Sequence, residues 1–162
     1  MGYRFTFPPK FEIIDMTNGR SCGTCDMCCT GTLSLPTIQG HIPQYKKPCH
    51  FLNIETKCTI YADRPSVCKM YKCLWLADES IPDFMKPENF GGIFDIGGFE
   101  GYEYLQLNKN YGPYPEEVLQ FAKDEADKRN MNLIIQTDGI YSYYGDDEKC
   151  LQILKDQFGI VY

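Results

Sequence analysis

A chain of 162 residues, 43% hydrophobic and with a formal net charge of −6, has enough material for one domain with a core of its own. No apolar run approaches the ~18 residues that span a bilayer, so no membrane partner is expected. The acidic balance argues against nucleic acid as a partner, and the opening stretch lacks a basic segment followed by an apolar one, which points to a cytoplasmic protein.

Residues 1–20 carry Phe5, Phe7, Pro8, Pro9, Phe11, Ile13 and Ile14, an apolar set suited to an extended arm laid on the core. Met1-Gly2 with Thr6 matches the loose myristoylation pattern, but Tyr3-Arg4-Phe5 reads as ordinary structure and the match is set aside. Asn18-Gly19 turns the chain into its most unusual stretch. Eight of the nine cysteines lie between Cys22 and Cys73: four in the run Cys22-x2-Cys25-x2-Cys28-Cys29, then Cys49, Cys58, Cys68 and Cys73.

Three readings of these cysteines compete: a disulfide framework, a thiolate metal site, and small hydrophobes in a core. Disulfides are the habit of small secreted domains, and the adjacent Cys28 and Cys29 would need separate partners. Core cysteines occur singly, not eight within 52 residues. Metal binding is the expectation, with the eight thiols divided between two sites or forming one site with thiols to spare. Between Cys22 and Cys73 stand six bases (Lys46, Lys47, Lys57, Arg64, Lys69, Lys72) against three acids (Asp26, Glu55, Asp63), a local +3 that leaves −9 on the rest. Cations beside a four-thiolate centre would offset its negative charge and keep the thiols deprotonated; a solvated surface face is the bland alternative.

Between residues 30 and 48, β-branched residues and the prolines Pro36, Pro43 and Pro48 predict short irregular strands and loops that a metal would have to order. Asp63-Arg64-Pro65 predicts a helix start with Asp63 as N-cap, running through Val67, Met70, Tyr71 and Leu74 toward Trp75. On one continuous helix, Cys68 and Cys73 would point ~140° apart. Either the helix ends near Tyr71 and Cys73 swings back, or the two thiols serve different sites. Cys28 and Cys29, in extended backbone, would diverge likewise.

After a linker at 82–87 the composition becomes glycine-rich, aromatic and acidic. Residues 93–96 and 102–107 read as a hairpin with a loop of three to five residues, and the glycines between them lack the spacing of a dinucleotide fingerprint. Residues 115–130 read as a helix with Val118, Phe121, Ala122 and Ala126 on one face. Residues 132–137 and 140–144 form a second hairpin around Asp138-Gly139. Asp146 or Asp147 caps a final helix, on whose apolar face Cys150 packs into the core. The predicted class is α+β: one domain over 1–162, in which an irregular cysteine-rich metal-binding segment at 20–75 joins an α+β segment at 90–162, a small sheet with two or three helices.

Thiolate-only ligation narrows the metal to zinc or an iron–sulfur centre. Zinc ribbons use two separated Cys-x2-Cys knuckles, whereas this chain has one dense run and then single cysteines. Cys22-x2-Cys25-x2-Cys28 has the spacing of a bacterial ferredoxin's first three ligands, although proline precedes Cys49 instead of following a fourth ligand. The radical-SAM triplet is absent, because position 32 is Thr32. Spacing therefore favours a 4Fe-4S centre, with zinc as the alternative.

Three stretches carry a likeness to a known group: Cys22-x2-Cys25-x2-Cys28-Cys29, then Pro48-Cys49-x-Phe51-Leu52, then Cys58-x-Ile60-Tyr61-x2-Arg64-Pro65-x2-Cys68-x2-Tyr71-x-Cys73. They resemble the YkgJ-type cysteine-cluster proteins, described as zinc- or iron-chelating, and more distantly the cysteine motif of a flagellin lysine N-methylase. The resemblance covers the first half of the chain and implies that all eight cysteines bind metal. His50 departs from it, standing where a second proline is common, and is read as a hydrogen-bond donor beside the ligands or a surface residue. Arg64 is read as closing a helix start or donating to the site, and Tyr61 as a packed aromatic. Kinship of motif does not carry a reaction. The leading expectation is an iron–sulfur protein with a redox or cluster-assisted modification role and an unidentified protein or redox partner. A structural-zinc interaction module and a methyltransferase-like enzyme using residues 91–101 are the alternatives.

Overall fold

The computed structural model describes residues 19–21, 25, 27–29, 49, 51–53, 55, 57–63, 66, 68, 71–98 and 103–161. Residues 1–18 of the apolar arm expected at 1–20 and the irregular strands expected at 30–48 lie outside them, as does the helix start at Arg64-Pro65. The fold is α+β. In the cysteine-rich part, Met27–Cys29 forms a 3-10 turn, and β1 (Leu52–Asn53) pairs antiparallel with β2 (Lys57–Cys58), a miniature ladder that the composition did not announce. Then come α1 (Leu74–Ala77), a 3-10 turn at Asp83–Met85, α2 (Pro87–Phe90), β3 (Gly92–Gly97), β4 (Tyr104–Lys109), α3 (Glu116–Arg129), β5 (Leu133–Thr137), β6 (Ile140–Tyr144) and α4 (Asp147–Phe158).

The last four strands form one sheet in the order β3-β4-β5-β6. Both outer pairs are antiparallel, and the central β4-β5 pair is parallel because α3 carries the chain back between them. Strand alternation gives the sheet two faces. Phe94, Leu105, Leu107, Leu133 and Ile135 point to one, where they meet Val118, Ala122 and Ala126 of α3 and the apolar residues of 74–90. Tyr104 and Ile134 point to the other and meet Cys150, Ile153 and Leu154 of α4. Ile93 and Asp95 share this second face, opposite Asn108 and Gln106 in register, but the cysteine-rich segment packs against Ile93.

Local signals decide most boundaries. Acidic Glu116 and Glu117 open α3, Lys128 and Arg129 end it in the favourable sense of the helix dipole, and Asn130 closes it at φ 54. Asp138 and Gly139, at φ 50 and 80, make the two-residue turn of the β5-β6 hairpin. Asp146 caps α4 by accepting from the Lys149 N–H at 2.9 Å. Gly92 is required because a Cβ there would collide with the Asn108 carbonyl across the β3-β4 ladder.

Four expectations are corrected. Residues 82–87 are no linker: Pro82 precedes the 3-10 turn and Pro87 opens α2, while Ile81 and Met85 are fully buried. Ile81, Met85 and the flanking Leu74 and Trp75 extend the α+β body's core well before residue 90. β3 ends at Gly97 and β4 begins at Tyr104, a wider separation than expected, and the Tyr104 ring is held against Phe158 of α4. The helix expected to run to Trp75 breaks: Ser66 and Cys68 are helical, residues 71–73 are not, and Cys73 becomes the extended N-cap residue of α1. The break lets Leu74 and Trp75 enter the body's core while Tyr71 turns to β3. Finally, the backbone at Cys28-Cys29 is a 3-10 turn instead of extended.

Candidate metal centre

The eight candidate ligands separate by position. Cys28 from the 3-10 turn, Cys68 from a helical residue and Cys73 from the start of α1 all pack against Ile93, with Met27, Phe51 and Tyr71. The helix has ended before Cys73, and Cys68 and Cys73 both pack on Ile93 of β3. Cys73 also touches the main core, placing it at the seam between the cysteine segment and the body. Cys25 lies close enough to Lys86 for its charge to act there. Cys49 accepts from the Leu52 N–H through its carbonyl at 3.0 Å, and Cys58 pairs with Leu52 across the small ladder. All six of these cysteines are half-buried. Cys22, His50, Arg64 and the side chains of Cys29 and Tyr61 lie outside the described residues. Among the described residues, no group of three or more His, Cys, Asp or Glu could hold a metal ion.

A half-buried polar pair borders the thiols. The Tyr71 hydroxyl donates to Asp95 Oδ2 at 2.8 Å, and the Ile96 N–H donates to Asp95 Oδ1 at 2.8 Å. Burial pushes the Asp95 carboxyl up to about 7, although both hydrogen bonds pull it down. Burial also holds the Tyr71 hydroxyl well above its ordinary range, reinforced by Asp95 and then by Cys73 and Cys28. Next to Asp95 on the same sheet face lie the buried amides Gln106 and Asn108, joined by a 3.3 Å hydrogen bond.

Arg20, two residues before the first cysteine, is the anchor that sequence reasoning missed. Its Nη1 donates to the carbonyls of Trp75 (2.6 Å) and Asp78 (3.0 Å), and its Nη2 to those of Glu79 (3.0 Å) and Ile81 (2.8 Å). The guanidinium carbon stands 4.6 Å from the centroid of the Trp75 ring, which Lys86 also approaches at 5.0 Å. Hydrogen bonding to Glu88 raises the Lys86 ammonium above its ordinary range, and the neighbouring charges of Glu88, Cys25 and Asp83 add to it. Tyr71 stood inside the quoted motif and could have been singled out. Nothing in the sequence joined it to Asp95, twenty-four positions away.

No family model, characterised protein or solved structure matches this chain. The chemistry of the site therefore rests on its own residues. Soft thiolates suit zinc or iron–sulfur and disfavour hard divalent cations, so the donors fit the expected group in kind. Among the described residues, no helix is long and apolar enough to cross a membrane.

Proposed function

We propose that this chain is a metal-binding protein whose thiolates between Cys22 and Cys73 hold a 4Fe-4S centre serving a redox or cluster-assisted modification role. The observation that carries the proposal is the gathering of Cys28, Cys68 and Cys73 from separate stretches around Ile93, in the segment that also holds Cys22, Cys25, Cys29, Cys49 and Cys58. Three thiols against one apolar strand residue, each half-buried, give an environment that limits water without sealing the site. The likeness of the cysteine pattern to the YkgJ-type group and the local +3 charge support the same reading. When bound, such a centre supplies one-electron chemistry. The protein's own part is to present the thiols, keep Ile93 between them and the sheet, and place the Tyr71–Asp95 pair alongside. The acidic remainder of the chain suits a protein partner in the cytoplasm better than a nucleic acid.

Anaerobic purification, elemental analysis and a visible spectrum test this. Iron with sulfide and broad visible absorption is the expected result, with Cys68→Ser and Cys22→Ser each lowering metal content. A colourless protein that carries zinc even after reconstitution with iron and sulfide makes the centre structural zinc. A reduced chain that takes up neither metal refutes the proposal.

A further inference from the structure

Residues 20 and 75 lie 55 positions apart, and everything between the two ends of that stretch belongs to the cysteine segment. The ends nevertheless meet. Arg20 delivers four hydrogen bonds to the carbonyls of Trp75 in α1 and of Asp78, Glu79 and Ile81 in the stretch that follows it, and lies over the Trp75 ring. Leu74 and Trp75 are themselves buried in the core of the α+β body. Arg20 therefore fastens the entrance of the segment to a rigid part of the body at the segment's own exit. Cys25 and Cys28 follow within eight positions of Arg20, and Cys73 immediately precedes α1. Cys28 and Cys73 both rest on Ile93. The contacts are made by side chain, backbone and ring atoms of the chain itself.

We infer that Arg20 is a positioning residue: it closes the cysteine segment at its base, so that Cys28 and Cys73 are brought to β3 before a metal arrives. The inference rests on the metal-binding reading for its effect on affinity, but not for its effect on the thiols of the metal-depleted chain. Two features make arginine the residue for this task. Its planar fork reaches several carbonyls at once, two from each terminal nitrogen here, whereas a lysine ammonium is a single point of donors. Its flat face also covers the indole. Holding the ends of a 55-residue stretch together raises the local concentration of the two thiol groups for each other, with an upper limit on the order of 400-fold from the three-halves power of loop length. The packing of the Met27–Cys29 turn on Ile93 supplies part of the same constraint, so the loss on removing Arg20 is smaller.

The test uses the full chain after complete metal removal under reducing conditions. Zn²⁺ is titrated against a competing chelator for wild type, Arg20→Ala and Arg20→Lys. In parallel, alkylation of each cysteine of the metal-depleted chains is followed by mass spectrometry, with Cys150 as the monitor of global opening. Arg20→Ala is expected to weaken Zn²⁺ binding by about tenfold or more, and to speed alkylation of Cys25, Cys28 and Cys73 by about fivefold or more while Cys150 stays protected. Arg20→Lys should recover less than half of either effect. Wild-type Zn²⁺ affinity and unchanged alkylation in Arg20→Ala overturn the inference, and so does full rescue by lysine. A wild-type chain that binds neither Zn²⁺ nor reconstituted iron–sulfur refutes the metal reading, and the alkylation pattern then decides the clamp by itself. If Arg20→Ala does not fold, Arg20→Gln, which retains an amide able to reach a carbonyl, takes its place under the same criteria.

Discussion

Replacing Ile93 by alanine tests whether the thiol neighbourhood depends on the sheet. The side chain is 1% exposed and supports Cys28, Cys68 and Cys73 together with Met27, Phe51 and Tyr71. Removing three buried carbons forfeits ~2.4 kcal/mol of transfer free energy at ~0.8 kcal/mol each. A residual cavity adds to this, and core Ile→Ala changes fall at ~2–5 kcal/mol overall. Ile93 is covered by half-buried side chains from a segment of short elements, which can settle into the gap, so ~2–3 kcal/mol is expected. Leu107→Ala, fully buried between two neighbouring strands and the main core, should cost more, ~3–4 kcal/mol. Urea unfolding of the metal-depleted protein followed by circular dichroism measures both. Alkylation at low denaturant should show Cys28, Cys68 and Cys73 reacting faster in Ile93→Ala while Cys150 does not. A cost below ~1 kcal/mol with unaltered alkylation would refute the idea that Ile93 is the floor of the thiol site.

Asp95→Asn addresses the half-buried carboxyl. With its pKa pushed up to about 7, the folded chain keeps a proton that the unfolded chain releases near ~3.9. The stability this contributes is complete below ~pH 4 and is lost as the pH rises to about 7, so wild type should fall relative to Asp95→Asn across that window, by at most ~1.4 kcal/mol per pH unit. Parallel stability profiles of the two proteins would contradict it. Arg129→Met strands Glu125, which is 6% exposed and accepts from Arg129 Nε at 2.8 Å, and also removes the 2.6 Å pair with Asp78. Lys128 remains near Glu125, so a loss of ~2 kcal/mol is expected in urea unfolding, with Glu125→Leu in the same chain recovering most of it. Cys150→Ser buries a hydroxyl among the apolar residues of α4 and β5 and should cost ~1–3 kcal/mol while leaving metal content unchanged. Loss of metal in that variant would move the ligand set out of the 22–73 segment.

The elements that short-range chemistry specifies were legible from residue order. Asp138-Gly139 permits few conformations besides a tight turn, the period of Val118, Ala122 and Ala126 suits only a helix face, and Asp146 stands where an N-cap is needed. The cysteine density singled out the segment proposed to bind metal, since soft donors are rarely gathered without use. What residue order left open was decided by contacts between distant parts. The helix after Asp63 broke at residues 71–73 because Leu74 and Trp75 are pulled into a core built by strands still to come, and no local propensity records that pull. Prolines at 82 and 87 looked like a linker until Ile81 and Met85 found burial against the sheet. The parallel pairing of β4 with β5 follows from where α3 packs. Asp95 acquires its raised pKa, and Arg20 its four carbonyl partners, only after the chain has folded back across tens of residues. Local signals act over a few bonds and can be read from the order of residues; burial and pairing across the sheet depend on which surfaces meet, and the tertiary structure alone decides that.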